Sequence, residues 1–130
     1  MQIVIDTHEA KLIELFNSNA APYIASTLTI GDVHLSQDMS HEPIQDLSAT
    51  SLPPLPPKII IERKTLRDLA ASIVDGRYAE QSLRLSVCEV PNHNIVYLIE
   101  GDLDTFRPIN RISKDALESS IITLTFSKGF

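Results

Sequence analysis

The sequence predicts an α/β fold in which a mixed central sheet is flanked by helices. Short β-branched runs of strand length, QIVID near the start, KIIIE from Lys58 and NIVYLIE from Asn94, alternate with stretches whose apolar residues recur at helical spacing. The inferred order is β-α-β-β-β-α-α-β-α, and strands interleaved with helices in this way form a sheet with helices packed on its faces. With 130 residues and no internal repeat, the chain is expected to form one domain over 1–130, large enough to bury a core.

QIVID opens as a strand. Thr7 is a candidate cap for a helix over about Glu9 to Asn19, in which Leu12, Ile13, Leu15 and Phe16 form an apolar stripe. Ala21-Pro22 ends that helix. YIASTL and DVHLS read as two extended segments meeting at Ile30-Gly31, and they are expected to pair as a hairpin. From Gln37 to Pro57 the composition turns to Ser, Asp, His and Pro and ends in LPPLPP. So few bulky residues cannot offset the entropy of ordering, which predicts a flexible Pro-rich insertion serving as a surface linker.

Lys58 to Glu62 is the next strand. Leu66, Leu69, Ala70, Ile73 and Val74 then fall on one helical face, and Asp75-Gly76 stops that helix. A further helix runs from near Tyr78 to about Val87. NIVYLIE reads as a buried strand. Ser113 caps a last helix from Lys114 to about Ser127, with Leu117, Ile121 and Leu124 inward and Gly129 at its end.

Composition narrows the function classes. Hydrophobic residues make up 43% and charged residues 22%, the balance of an ordinary globular domain, which excludes global disorder. The apolar runs are far shorter than the roughly 20 residues of a membrane helix, and no basic segment precedes an apolar one at the start, so neither a membrane span nor a signal peptide is expected. The single cysteine, Cys88, cannot form an internal disulfide and is read as inert packing. His8, His34, His41 and His93 lack zinc-ligand spacing. A net charge of −6 argues against general affinity for nucleic acid. Its distribution argues the other way, because seven of the eleven basic residues lie between Lys58 and Arg107 and leave room for a basic face.

The chemistry concentrates where the strand IIIE runs into Arg63 and Lys64. Alternation puts Glu62 and Lys64 on one face of the strand and Arg63 on the other. Asp32 follows Gly31 at the start of another extended segment, where a glycine permits a sharp turn. Hard divalent cations take oxygen ligands, and Mg²⁺ uses one or two protein carboxylates with water and phosphate oxygens. Asp32 and Glu62 meet that need. Lys64, two residues after Glu62, adds a compact positive charge that can stabilise charge developing on a phosphate. An Asp followed by Glu-x-Lys is the minimum equipment for metal-assisted phosphodiester hydrolysis, while a strand merely reaching solvent also ends in charges. Thr65 and Asp68 form a capping box, Asp6 and Glu9 read as strand-end and first-turn acids, and Glu100 and Asp102 read as a strand exit.

Three blocks resemble the XPF/MUS/Hef structure-specific endonucleases, whose signature is GD, a variable spacer and ERKxxxD. They are Gly31-Asp32, ERKTLRD at Glu62 to Asp68, and SIVDGRYAEQSLRL at Ser72 to Leu85. VIDTHE and VYLIEG extend the likeness over nearly the whole chain, and the MUS branch is nearest in motif. The resemblance implies a restriction-endonuclease-like fold of the PD-(D/E)XK type. It implies Asp32 and Glu62 as ligands of Mg²⁺ or Mn²⁺, Lys64 as the catalytic lysine, and Arg63 and Asp68 as supporting residues. Asp6 and Glu9 become candidates for the same metal site, and Arg77 and Gln81 for phosphate or carboxylate contacts. Branched DNA, such as flaps, forks or nicked junctions, is the implied substrate. A related subunit is the implied partner in a homo- or heterodimer, and the nucleus the implied location in a eukaryotic host.

Departures from the pattern bear on these expectations. His8 stands where the family has Arg, and the insertion from Gln37 to Pro57 is longer than the family's hairpin, long enough to shade the site. The chain stops at SKGF, where the family continues into another strand and helix, so a domain trimmed at its C-terminus is expected. Two other classes stay open: a non-catalytic partner subunit, against which intact Asp32, Glu62 and Lys64 argue, and an interaction module using PPLPP, which would bind no divalent metal.

Overall fold

A computed structural model describes residues 1–37, 55–109 and 111–130. Strands β1 (Gln2–Asp6), β2 (Ile24–Ser26), β3 (Val33–Ser36), β4 (Ile59–Thr65) and β5 (Ile95–Glu100) form one sheet in the order β2-β1-β3-β4-β5. The α-helices among the described residues are α1 (Ala10–Ser18), α2 (Leu66–Val74), α3 (Arg77–Ser86) and α4 (Lys114–Ile122), and a 3₁₀ turn at Asn92–Asn94 precedes β5. The β1–β2 and β4–β5 pairs are parallel and the β1–β3 and β3–β4 pairs antiparallel, so the sheet is mixed. No helix among the described residues is long and apolar enough to cross a membrane.

Strand alternation decides what β4 buries. Ile60, Glu62 and Lys64 point to one face and are buried, while Ile59, Ile61 and Arg63 on the other are half-buried. Ile60 packs with Leu85, Val90 and Ile95, and Cys88 fills the edge of that cluster. A second cluster joins α2 to α4 through Leu66, Leu69, Ala70 and Leu117. Leu69 and Leu117 are fully buried, and truncating such a leucine to alanine costs about 2–5 kcal/mol. The α2 stripe is as its spacing predicts except at its last member, Val74, which is exposed. Thr65 caps α2 by accepting the Asp68 N–H at 3.1 Å.

Several expectations are corrected. The segments containing β2 and β3 do not form a hairpin: both pair with β1, on opposite sides. α1 returns the chain parallel to β1, as a βαβ crossover does, and the link from Thr27 to Asp32 then crosses the carboxyl end of β1. That crossing is held by Asp6, whose carboxylate accepts the Leu28 N–H at 2.6 Å. Thr7 is not the cap of α1; its hydroxyl meets that of Thr27 at 3.3 Å, and the cap position is Glu9, with no side-chain hydrogen bond. The turn before α1 is closed instead on Asp6, which receives the His8 N–H on its carboxylate and the Glu9 N–H on its carbonyl. The α1 stripe is only half-buried, with Leu15 exposed.

NIVYLIE is buried on one face only. Ile95 is enclosed, whereas Val96 and Leu98 point the other way and are 43% and 48% exposed. The last helix starts at Lys114 under a Ser113 cap as expected but widens to π geometry over Thr123–Lys128. Thr123 and Thr125 donate their hydroxyls to carbonyls four residues back, a competition for helical acceptors that favours such departures. Most of the expected insertion, 38–54, lies outside the described residues. Its base is closed by the Lys58 N–H donating to the Leu35 carbonyl at 2.8 Å.

Candidate active site

The carboxyl ends of β1 and β4 and the entry of β3 meet at one end of the sheet. Asp32 is tied into the sheet on both sides: its carbonyl accepts the Asp6 N–H and its N–H donates to the Ile61 carbonyl, both at 2.9 Å. Gly31 before it is left-handed, with φ of 68°, and a Cβ there would run into the Ile60 side chain and lie 3.3 Å from the Ile61 carbonyl. Both the turn and the close approach therefore require glycine.

The Arg63 N–H donates to Asp32 Oδ2 at 2.6 Å, so the backbone of β4 aims the Asp32 carboxylate. Glu62 and Lys64 stand on either side of that N–H along the strand, with Lys64 Nζ 3.5 Å from Glu62 Oε1 and donating to Gln81 Oε1 of α3 at 3.0 Å. Both side chains of the pair are only 9% exposed. Glu62 borders a cleft of about 280 Å³ whose lining also includes Asp6, His8, Asp32, Gln81 and Arg84, and Lys64 reaches it through its bonds to Glu62 and Gln81.

Electrostatics separate the acids of this region. Burial pushes the Glu62 carboxyl up, and the charge of Asp32 pushes it further. Burial also raises Asp32 against the pull of the Arg63 N–H, and Glu9 adds to the rise. Asp6 is held below the usual carboxylate range, chiefly by the N–H groups of His8 and Leu28. It therefore stays charged as the clamp of the crossing chain, with His8 Nδ1 also 2.6 Å from Oδ1.

Glu9 is bound by Arg63, whose Nη1 donates to Glu9 Oε2 at 2.9 Å and whose Nη2 donates to Glu100 Oε2 at 2.8 Å; its Nε bonds to Glu100 Oε1. The guanidinium thus ties the start of α1 to the end of β5 on the sheet face opposite Glu62. Asp32 and Glu62 are the pair whose charges are disfavoured by burial and by each other. An oxygen-only pair of that kind fits a hard divalent cation, which relieves both costs. Among the described residues, no three Asp, Glu, His or Cys side chains converge on one point.

The structure thus brings together Asp32, Glu62, Lys64, Gln81 and Asp6, with Arg63 and Glu9 adjacent on the other face. Asp68 and Arg77 do not line the cleft. Asp68 accepts the Thr65 hydroxyl at 2.6 Å within the α2 cap, and Arg77 pairs with Asp75 at 2.7 Å on the surface. Two residues escaped the sequence reading. Arg84 lines the cleft and donates to the Thr29 carbonyl at 2.8 Å; its place one turn after Gln81 on the same helix face was the available signal. Glu100, read as a strand exit, is the chief partner of Arg63, and nothing at a separation of 37 residues announces such a pair.

One polar atom in this region stands apart. The Tyr97 hydroxyl is buried and has no hydrogen-bond partner among the described residues. Burial, and after it the charge of Glu62, holds its phenol well above the ordinary value.

A family model described as the ERCC4 domain matches residues 5–130. The chain belongs to the ERCC4-domain family. Among curated proteins it is similar to the probable crossover junction endonuclease mus81 of Dictyostelium discoideum, with 40% identity over 85 residues, covering 54% of this chain and 9% of that protein. It is also similar to the structure-specific endonuclease subunit MUS81 of Danio rerio, with 27% identity over 124 residues, covering 92% of this chain and 20% of that protein. The chain therefore spans only a small part of these relatives' length. Among solved structures, XPF from Aeropyrum pernix matches with a TM-score of 0.66 at 22% identity, over 99% of this chain and 53% of that one. The same protein in complex with DNA matches with a TM-score of 0.63 at 23% identity, over 98% of this chain and 52% of that one. The ERCC4 domain described here has the restriction-endonuclease-like fold that its motifs imply.

Proposed function

We propose that this ERCC4 domain is the nuclease domain of a divalent-metal-dependent DNA endonuclease that hydrolyses phosphodiester bonds in branched DNA. The observation that carries this reading is the pairing of Asp32 and Glu62 at one end of the sheet with Lys64 beside them, on a cleft open to solvent. Mg²⁺ or Mn²⁺ held by Asp32 and Glu62 would polarise the phosphoryl group and make water a better nucleophile at neutral pH.

The protein's own groups do the remaining work. The Arg63 N–H keeps Asp32 aimed while its side chain, locked by Glu9 and Glu100, holds β4 against β5 and α1. Gln81 holds the Lys64 ammonium beside Glu62, from where it can offset negative charge growing on the phosphoryl oxygens as water attacks phosphorus and the sugar oxygen leaves. Arg84, on the α3 side of the cleft, is suited to a neighbouring phosphate of the strand being cut. Asp6 keeps the chain crossing above β1 in place.

The curated relatives named as endonucleases support the reaction class, and the word subunit in the zebrafish name supports assembly with a further chain. With a net charge of −6, much of the affinity for branched DNA is assigned to other domains or to that partner. The test is incubation of the chain with end-labelled flap, fork and linear duplexes in Mg²⁺, Mn²⁺ or EDTA. Cutting of flaps and forks in either metal, absent in EDTA, is expected. Equal cutting of linear duplex removes the structure preference, and no cutting in any metal overturns the reading.

A further inference from the structure

Tyr97 is the direct cross-strand neighbour of Glu62 in the parallel β4–β5 pair. In-register residues of parallel strands project to the same face, so the two side chains lie side by side. The ring packs against the cluster of Ile60, Leu85, Val90 and Ile95 and stacks on Phe130, with centroids 5.6 Å apart. Phenylalanine would make every one of those contacts. The hydroxyl adds none of them and carries the cost of a buried polar group without a partner among the described residues. Buried groups of that kind call for an explanation, and the Glu62 carboxylate stands opposite on the next strand.

We propose that Tyr97 is a positioning residue for Glu62: its hydroxyl donates across one water towards the Glu62 carboxylate and fixes the orientation in which that carboxylate meets the divalent cation. This inference rests on the metal-dependent reading of the site. Glu62 is then oriented from two sides, by Lys64 at 3.5 Å from Oε1 and by Tyr97 from the neighbouring strand. Lys64 supplies charge and Tyr97 supplies direction. The phenol remains protonated, so towards a carboxylate it can act only as a donor. Such outer groups typically change metal affinity or activity by about 10- to 100-fold when removed.

The test is Tyr97→Phe in the full chain, with three measurements: melting without metal, Mn²⁺ affinity by calorimetry, and the Mn²⁺ dependence of single-turnover cleavage. The expected result is a metal-free melting temperature equal to or above that of the parent, Mn²⁺ affinity weakened about 10-fold, and a cleavage rate that recovers at high Mn²⁺. Affinity within about twofold of the parent's overturns the proposal, whatever the melting temperature does. A lowered melting temperature with unchanged affinity overturns it too, by making the hydroxyl a structural bond. If the parent itself binds no Mn²⁺, the metal reading falls and takes this inference with it; if the parent binds and the variant matches it, only the role of Tyr97 falls.

Discussion

Replacing Lys64 with methionine keeps the length and apolar stem of the side chain and deletes its charge. The ammonium lies 3.5 Å from Glu62 and both side chains are 9% exposed, so in a medium of effective dielectric near 20 the attraction is about 5 kcal/mol before desolvation. Removing one member leaves Glu62 buried beside Asp32 with its nearest cation gone, a class of change that costs about 3–5 kcal/mol. At the lower figure, a domain of this size should melt about 10 to 15 °C lower without metal. A divalent cation replaces the missing charge, so Mn²⁺ should raise the melting temperature of Lys64→Met by more than it raises that of the parent. Single-turnover cleavage at saturating Mn²⁺ should nevertheless fall about 10²-fold, or about 2.7 kcal/mol in the barrier. Thermal unfolding with and without Mn²⁺, together with a cleavage time course, reads all three quantities. A variant that melts with the parent, gains equally from Mn²⁺ and cleaves at the parent's rate would refute both the buried pair and the assignment of Lys64 to the reaction.

Glu62→Gln should abolish Mn²⁺ binding in calorimetry and flatten the dependence of metal-free stability on pH. The sign follows from the raised carboxyls: the folded state holds their protons more tightly than the unfolded one, so their stabilising share is fully present below the unfolded pKa and is lost as pH rises through the folded values. Metal-free parent should therefore gain stability from this pair as pH falls from neutral through those raised values, and the gain should shrink in Glu62→Gln; a profile unchanged by the substitution counts against the coupling. Asp6 works in the opposite direction, losing its share as pH falls through its lowered value. Arg63→Ala should destabilise by about 1.5–3 kcal/mol, because its ion pairs are only partly buried, yet leave Mn²⁺ affinity intact, since alanine keeps the N–H that aims Asp32. Deleting Ser40 to Pro54 should leave unfolding cooperative and the melting temperature within a few degrees; a broad, low transition would identify that segment as packed structure.

What the sequence discloses is what is local. IIIERK carries its alternation in adjacent residues, and β4 buries Ile60, Glu62 and Lys64 as that alternation requires. The stripe of α2, its Thr65 cap and the glycine before Asp32 are likewise decided within a few positions, and the structure reproduces each except for the exposed end at Val74. Pairing partners are another matter. β2 has three residues, all exposed, and nothing in IAS distinguishes the outer side of β1 from a hairpin with β3. Thr7 looked like a cap because its type suits one, but Asp6 already occupied the donors of that turn. The Arg63 clamp joins residues 54 and 37 positions away, a closeness only the finished sheet creates. Tyr97 gave no signal either, because its meaning depends on which residue of β4 stands opposite.

The two ends of the β3–β4 pair lead separate lives. Asp32 and Glu62 sit where β3 begins and β4 finishes, while the chain leaves β3 after Ser36 and rejoins β4 at Ile59, about 10 Å further along the strands. The ladder through Val33, His34 and Leu35 stands between them. Gains and losses of residues at the far end therefore act on a boundary that the ladder insulates from the carboxylate spacing. That makes Gln37 to Pro57 a natural port for a fluorophore, an affinity handle or a docking peptide.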